Sequence, residues 1–191
     1  MRNLVRRLLS TARGGRGIAL LAVLFFLPTT GAAQEGPTES AAPAASRCKA
    51  ARPGHVVIYG DEDETLAISR GELERMPSIT VEASFHDGRS ATFEGVRIRD
   101  LLTLAGAPTH VQGPELLRFL VVEATDGYRA LFSRSEVEPD FRAEPPILAY
   151  RENGRPIDPK FGPLQVIVPD ELRHVRWVRQ VECIRLATWQ P

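Results

Sequence analysis

The chain of 191 residues has little of what usually decides an assignment: two cysteines, two tryptophans, no excess of charge in either sign, and no long apolar run. Each shortage excludes something. With 24 basic and 24 acidic residues, the chain lacks the electrostatic footprint that nucleic-acid binding requires. The longest apolar run, Ile18 to Leu27, falls well short of the roughly 20 residues of a membrane-spanning helix. No G-x-S-x-G, H-E-x-x-H or C-x-x-C occurs, so hydrolase, zinc-peptidase and thioredoxin chemistry have no anchor. The four histidines, His55, His86, His110 and His174, are scattered rather than set at ligand spacing.

What the sequence does contain begins with Arg2, Arg6, Arg7, Arg13 and Arg16, then the apolar run, then the small residues Gly31 and Ala33. That order predicts a secretory signal peptide over 1–33, cut before Gln34. The "RGGRG" at 13–17 lies in this leader and is discounted as a phosphate loop. Residues 34–47, "QEGPTESAAPAASR", have no apolar period and no aromatic, and read as a disordered tether. Residues 48–191 then form one mildly acidic domain with one core. In an exported protein, cysteines at the two ends of a domain most simply form a disulfide, here Cys48–Cys183. A reactive or metal-binding thiol is the alternative, but neither cysteine has a neighbouring ligand at zinc-site spacing.

Along the domain, "HVVIYG" reads as a strand and the acidic "DEDET" as a solvated loop. Ser69 with Glu72 three residues on forms a capping box opening a short helix. Ile79, Val81, Ala83 and Phe85 alternate on one face, and Asp87-Gly88 turns that strand into "SATFEGV". Ile98, Leu101, Leu102 and Ala105 have helical spacing ended by Gly106. "LLRFLVVEAT" predicts a central strand buried on both faces, with Asp126-Gly127 leading into "YRALFS". "SRSEVEPDF" reads as a helical turn and "PILAYRE" as a strand closed by Asn153-Gly154. "GPLQVIVP" and "RWVRQVECIRL" both read as strands, with the alternation breaking between Arg179 and Val181. The fold class expected is α+β, with mixed, mainly antiparallel sheets and two or three short helices.

"FEGVRIRDLLTLAGA" (Phe93 to Ala107) and "NGRPIDPKFGPLQVIVPDELRHVRWVRQV" (Asn153 to Val181) resemble two segments of the sulfite-oxidase-type molybdopterin-binding domain. The resemblance extends over most of 55–186. It implies a mixed α+β fold around one molybdopterin and oxygen-atom or electron transfer on a small oxidisable substrate. It also carries the family's pterin-contacting cluster onto His174, Val175 and Arg176, with Arg173 and Trp177 beside them. Departures accompany the likeness. The family's molybdenum-ligating cysteine falls where this chain has "SFHDGRSATF", which contains none. Phe161 and Gln165 stand where a histidine and an arginine would hold the pterin and its phosphate, and Asp170 replaces a glycine.

The resulting expectation is an exported protein that keeps the fold, lacks cysteine-ligated molybdenum catalysis, and binds a small anion or a periplasmic protein partner. An oxidoreductase that holds molybdopterin without a protein thiolate is the alternative, so molybdopterin and no cofactor stand as equal expectations. The basic cluster Arg173, His174, Val175 and Arg176 is the candidate binding site in either case. Its plainer reading is a strand start with Trp177 and Val175 turned to the core and the arginines in water.

Overall fold

A computed structural model describes Cys48, Arg52 and residues 54–60 and 65–190. The segments expected to be a signal peptide and a tether, and most of the "DEDET" segment, lie outside the described residues.

Two sheets share one core. The first has the order β2 (Leu66–Ser69), β1 (His55–Tyr59), β10 (Val181–Thr188), β5 (Arg118–Ala124) and β6 (Arg129–Ser133). The β1–β10 pair is parallel and the other pairs are antiparallel. The second runs β3 (Ile79–Ser84), β4 (Ser90–Arg97), β7 (Ile147–Glu152) and β8 (Arg155–Pro156), with β9 (Gln165–Ile167) also on β7, antiparallel throughout. Alternation decides which side of each strand enters the core: Leu120, Val122 and Ala124 of β5 are buried with Phe93 of β4 and Leu148 of β7.

Local chemistry sets the turns as expected. Ser69 accepts the Glu72 amide while Glu72 accepts the Ser69 amide, completing the capping box of helix Arg70–Leu73. Asn153 and Gly154 both take positive φ, 49° and 72°, as the tight turn between β7 and β8 requires. Helix Ile98–Leu104 buries Ile98, Leu101 and Leu102.

Two expectations are corrected. β5 is fully buried on one face only: Leu120, Val122 and Ala124 are buried, whereas Phe119, Val121 and Glu123 on the other face are partly exposed. The final strand starts at Val181, not at Arg176. His174–Arg176 is instead a single 3-10 turn, and Gln180 adopts a φ of 49° before the register shift between Val181 and Cys183. The break expected between Arg179 and Val181 coincides with the positive φ of Gln180, and the β-bulge lies one step further on, at Glu182. A second irregularity places Gly95 against β7, where an added Cβ would lie 2.3 Å from the Leu148 carbonyl oxygen. The glycine of the "FEGV" segment is therefore demanded by strand packing.

Candidate functional site

The basic cluster sits on the connection from β9 to β10, and its side chains part company. Trp177 turns inward, only 5% exposed, and its Nε1 donates to the Val168 carbonyl at 3.0 Å. His174 lies over it, ring to ring at 3.8 Å and 18°. His86, from the β3–β4 turn, stacks on His174 at 4.3 Å and 22°, and Phe85 meets Trp177 edge-on at 5.8 Å. Burial holds the His174 imidazole below its ordinary pKa, and the neighbouring His86 adds to the depression. The plainer reading holds for Trp177. It fails for Val175, which is 64% exposed while its carbonyl accepts the Tyr128 hydroxyl.

Arg176 is held by carboxylates. Its Nε donates to Glu171, its Nη1 donates to Glu136 at 2.8 Å, and its guanidinium lies 4.7 Å over the Phe132 ring. Arg142 extends the network by bonding Asp170 and approaching Glu136 at 3.7 Å. Asp170, where the family has glycine, is thus an ion-pair partner. Burial lifts the Glu136 pKa, but hydrogen bonds from Arg176 and Ser133 more than offset this and leave it below the usual carboxylate value.

The same network guards a sheet edge. β6 is the last strand of its sheet, and the bonds Ala124 N to Tyr128 O and Arg134 N to Arg118 O bracket its ladder with β5. Antiparallel alternation then turns the backbone groups of Leu131 and Ser133 outward. Arg176 Nη1 donates to the Leu131 carbonyl at 3.3 Å, and the Ser133 amide donates to Glu136 at 2.7 Å. Such capping blunts an edge that would otherwise template pairing with another chain.

Two guanidinium groups of this loop form no ion pair among the described residues. Arg173 is exposed, with no hydrogen bond or ion pair among the described residues. Arg179 lies 4.4 Å over the Phe161 ring. It lines a cleft of about 330 Å³ with Asp126, Tyr128, His174, Val175 and Trp177. The contact set placed on Arg173, His174, Val175 and Arg176 is therefore divided among the rim, the aromatic stack and the sheet edge. Sequence reasoning missed His86, Glu136 and Arg179. His86 comes from 88 residues upstream, and no local pattern signals that approach.

The sulfurs lie elsewhere. Cys48 and Cys183 form the expected disulfide, with a Cα–Cα distance of 5.4 Å. They sit with Val57 and Tyr59 in a small cluster separate from the main core. Among the described residues there is no free cysteine, and no three His, Cys, Asp or Glu side chains converge as a metal site.

With this geometry in hand, comparison with known proteins decides the family. The oxidoreductase molybdopterin-binding domain matches residues 52–189. The chain belongs to that family. A solved structure with the same fold is the sulfane dehydrogenase SoxCD from Paracoccus pantotrophus, with a TM-score of 0.57 and 20% sequence identity. The likeness covers 70% of this chain and 38% of that one, so this chain spans well under half of its length. No curated protein matches.

Molybdopterin is the cofactor that family membership implies, and the residues present can be tested against it. The cysteine donor of the resemblance falls at a tight hairpin whose strands pair through Ser84 and Ser90. Both sulfurs are consumed in a disulfide, and the sulfur of a disulfide offers no thiolate to a soft metal. At the position of the family's phosphate-holding arginine, Gln165 is buried on β9 opposite Ala149. Phe161 serves as a platform for Arg179. These residues do not fit a cysteine-ligated molybdenum centre in this domain of the oxidoreductase molybdopterin-binding family.

Proposed function

We propose that this molybdopterin-binding-type domain is an exported binding module for a small anion, acting in the periplasm or outside the cell, and not an oxidoreductase with cysteine-ligated molybdenum. The observation that carries the reading is the commitment of both cysteines to the Cys48–Cys183 crosslink, which leaves the chain no cysteine thiolate. A structural disulfide also supports an oxidising compartment. The anion site is the cleft lined by Asp126, Tyr128, His174, Val175, Trp177 and Arg179, in which Arg179 supplies the cation and the Asp126 carboxylate is engaged by the Tyr128 amide. Its stacked guanidinium presents several donors in a fixed plane, which suits an oxyanion. Its volume is within the range of small-ligand sites.

The experiment is to purify the domain from a host that makes molybdopterin, then measure metal content and oxidised-pterin fluorescence. Molybdenum far below one per chain is expected, and stoichiometric metal overturns the reading. Thermal shifts with sulfate and phosphate then probe the cleft. Arg179→Ala abolishes the shift, while Arg173→Ala leaves it in place. One observation favours a second reading: the family match over 52–189 together with the unpartnered Arg173 beside His174. On that reading the domain is an oxidoreductase holding molybdopterin without a thiolate, through Arg173, His174, Val175 and Arg176, and the metal measurement separates the two.

A further inference from the structure

The loop carrying the cluster presents two apolar side chains, Leu172 and Val175, to solvent on a rigid support. Leu172 is 91% exposed and Val175 64%, and both line an open cleft of about 460 Å³ with His86 and Arg173. A solvent-exposed leucine on a mobile loop would carry little meaning, because ordering the loop would consume the binding energy. This loop is pinned at several points. Asp170 is tied to Arg142, Glu171 to Arg176, the Val175 carbonyl to the Tyr128 hydroxyl, and Trp177 to Val168. The crest is therefore preorganised, as the anchor residues of a protein interface are.

Charge selects the partner. The carboxylates of the loop, Asp170 and Glu171, are each taken by an arginine, whereas Arg173 meets none among the described residues. With Asp170 and Glu171 set against Arg142 and Arg176, Arg173 is a single uncompensated cation on this face, too little charge to draw a uniformly anionic lipid surface, which takes a cluster of basic residues. A protein can set its acids against Arg173 alone.

We infer that the Leu172–Val175 crest is a docking surface for a protein segment that has an apolar pocket bordered by carboxylates. Leu172 and Val175 fill the pocket, and Arg173 pairs at its rim. The inference does not depend on an anion in the Arg179 cleft.

The test uses the full chain in the cells that produce it, with a photo-crosslinking phenylalanine analogue at position 172. A second chain carries the analogue at position 104, where Leu104 is 58% exposed. The expected result is a protein adduct at 172 and not at 104, with the crosslinked partner peptide net acidic. Binding of that purified partner should weaken at least tenfold in Arg173→Glu and in Leu172→Ser, and should fall with added salt. An adduct only with lipid, a crosslinked peptide without net acidic charge, no excess over position 104, or unchanged affinity in both variants overturns the proposal. Absence of a sulfate shift at the Arg179 cleft leaves these readouts untouched, so failure of the anion site and failure of the docking site are told apart.

Discussion

Replacing Arg176 with alanine tests whether the cluster's central cation is a structural device. The guanidinium bonds Glu136 and Glu171 and caps the Leu131 carbonyl. Each hydrogen bond to a charged group contributes about 1.5–3 kcal/mol when shielded. The side chains here are 29%, 32% and 14% exposed, so solvent screening lowers that figure. Glu171 already keeps one buried oxygen without a partner among the described residues, and losing the arginine that pairs with it leaves an uncompensated carboxylate. The expected loss is about 2–3 kcal/mol, or a Tm lower by roughly 6–9 °C at about 3 °C per kcal/mol. Urea unfolding at neutral pH, with the disulfide intact, measures it. Arg173→Ala, which removes no bond, should stay within about 0.5 kcal/mol of the parent. Glu136 is held below its unfolded pKa, so its contribution is present above the unfolded value and is lost as pH falls through the folded one. The gap between Arg176→Ala and the parent should narrow over that acid range. A loss under about 0.5 kcal/mol at neutral pH, or a gap independent of pH, would refute the network.

Other expectations follow from single contacts. Uncapping β6 should make Arg176→Ala self-associate with rising concentration, visible by analytical ultracentrifugation, whereas Arg173→Ala stays monodisperse. Reducing the disulfide, whose cysteines are 135 residues apart, should lower stability by roughly 4–5 kcal/mol in the chain-entropy account, read from urea curves with and without reductant. Gly95→Ala should destabilise by at least about 3 kcal/mol or prevent folding, because the new Cβ meets backbone atoms of Leu148 and Ala149. The neutral His174 ring favours the fold, so that part of stability is full above the imidazole's ordinary pKa of about 6.5 and is lost as pH falls through the folded value. Thermal melts of His174→Gln should show a flatter pH dependence there.

Much of the architecture was legible in the sequence because it rests on short-range rules. Asp87-Gly88, Asp126-Gly127 and Asn153-Gly154 mark the hairpins, Ser69 with Glu72 opens a helix, and Ile79, Val81, Ala83 and Phe85 share a face, since turn chemistry and side-chain period are properties of neighbours along the chain. The disulfide was legible from cysteine count alone, and the family from the segments around Gly95 and Trp177. The cluster was misjudged in form: "HVRWV" has the composition of a strand, yet its backbone curls into a 3-10 turn so that Trp177 reaches Val168 and His174 reaches Ser84 and His86.

The sequence by itself determined the fold class, the hairpins, the crosslink and the missing thiolate in the β3–β4 turn, all of which follow from residue identity and local spacing. Only the tertiary structure decided what each basic residue does. Arg176 is neutralised by Glu136 from forty positions upstream, Arg173 and Leu172 face solvent, and Arg179 rests on Phe161. The charge a side chain presents depends on which carboxylates come within reach, and that is set by the meeting of two sheets.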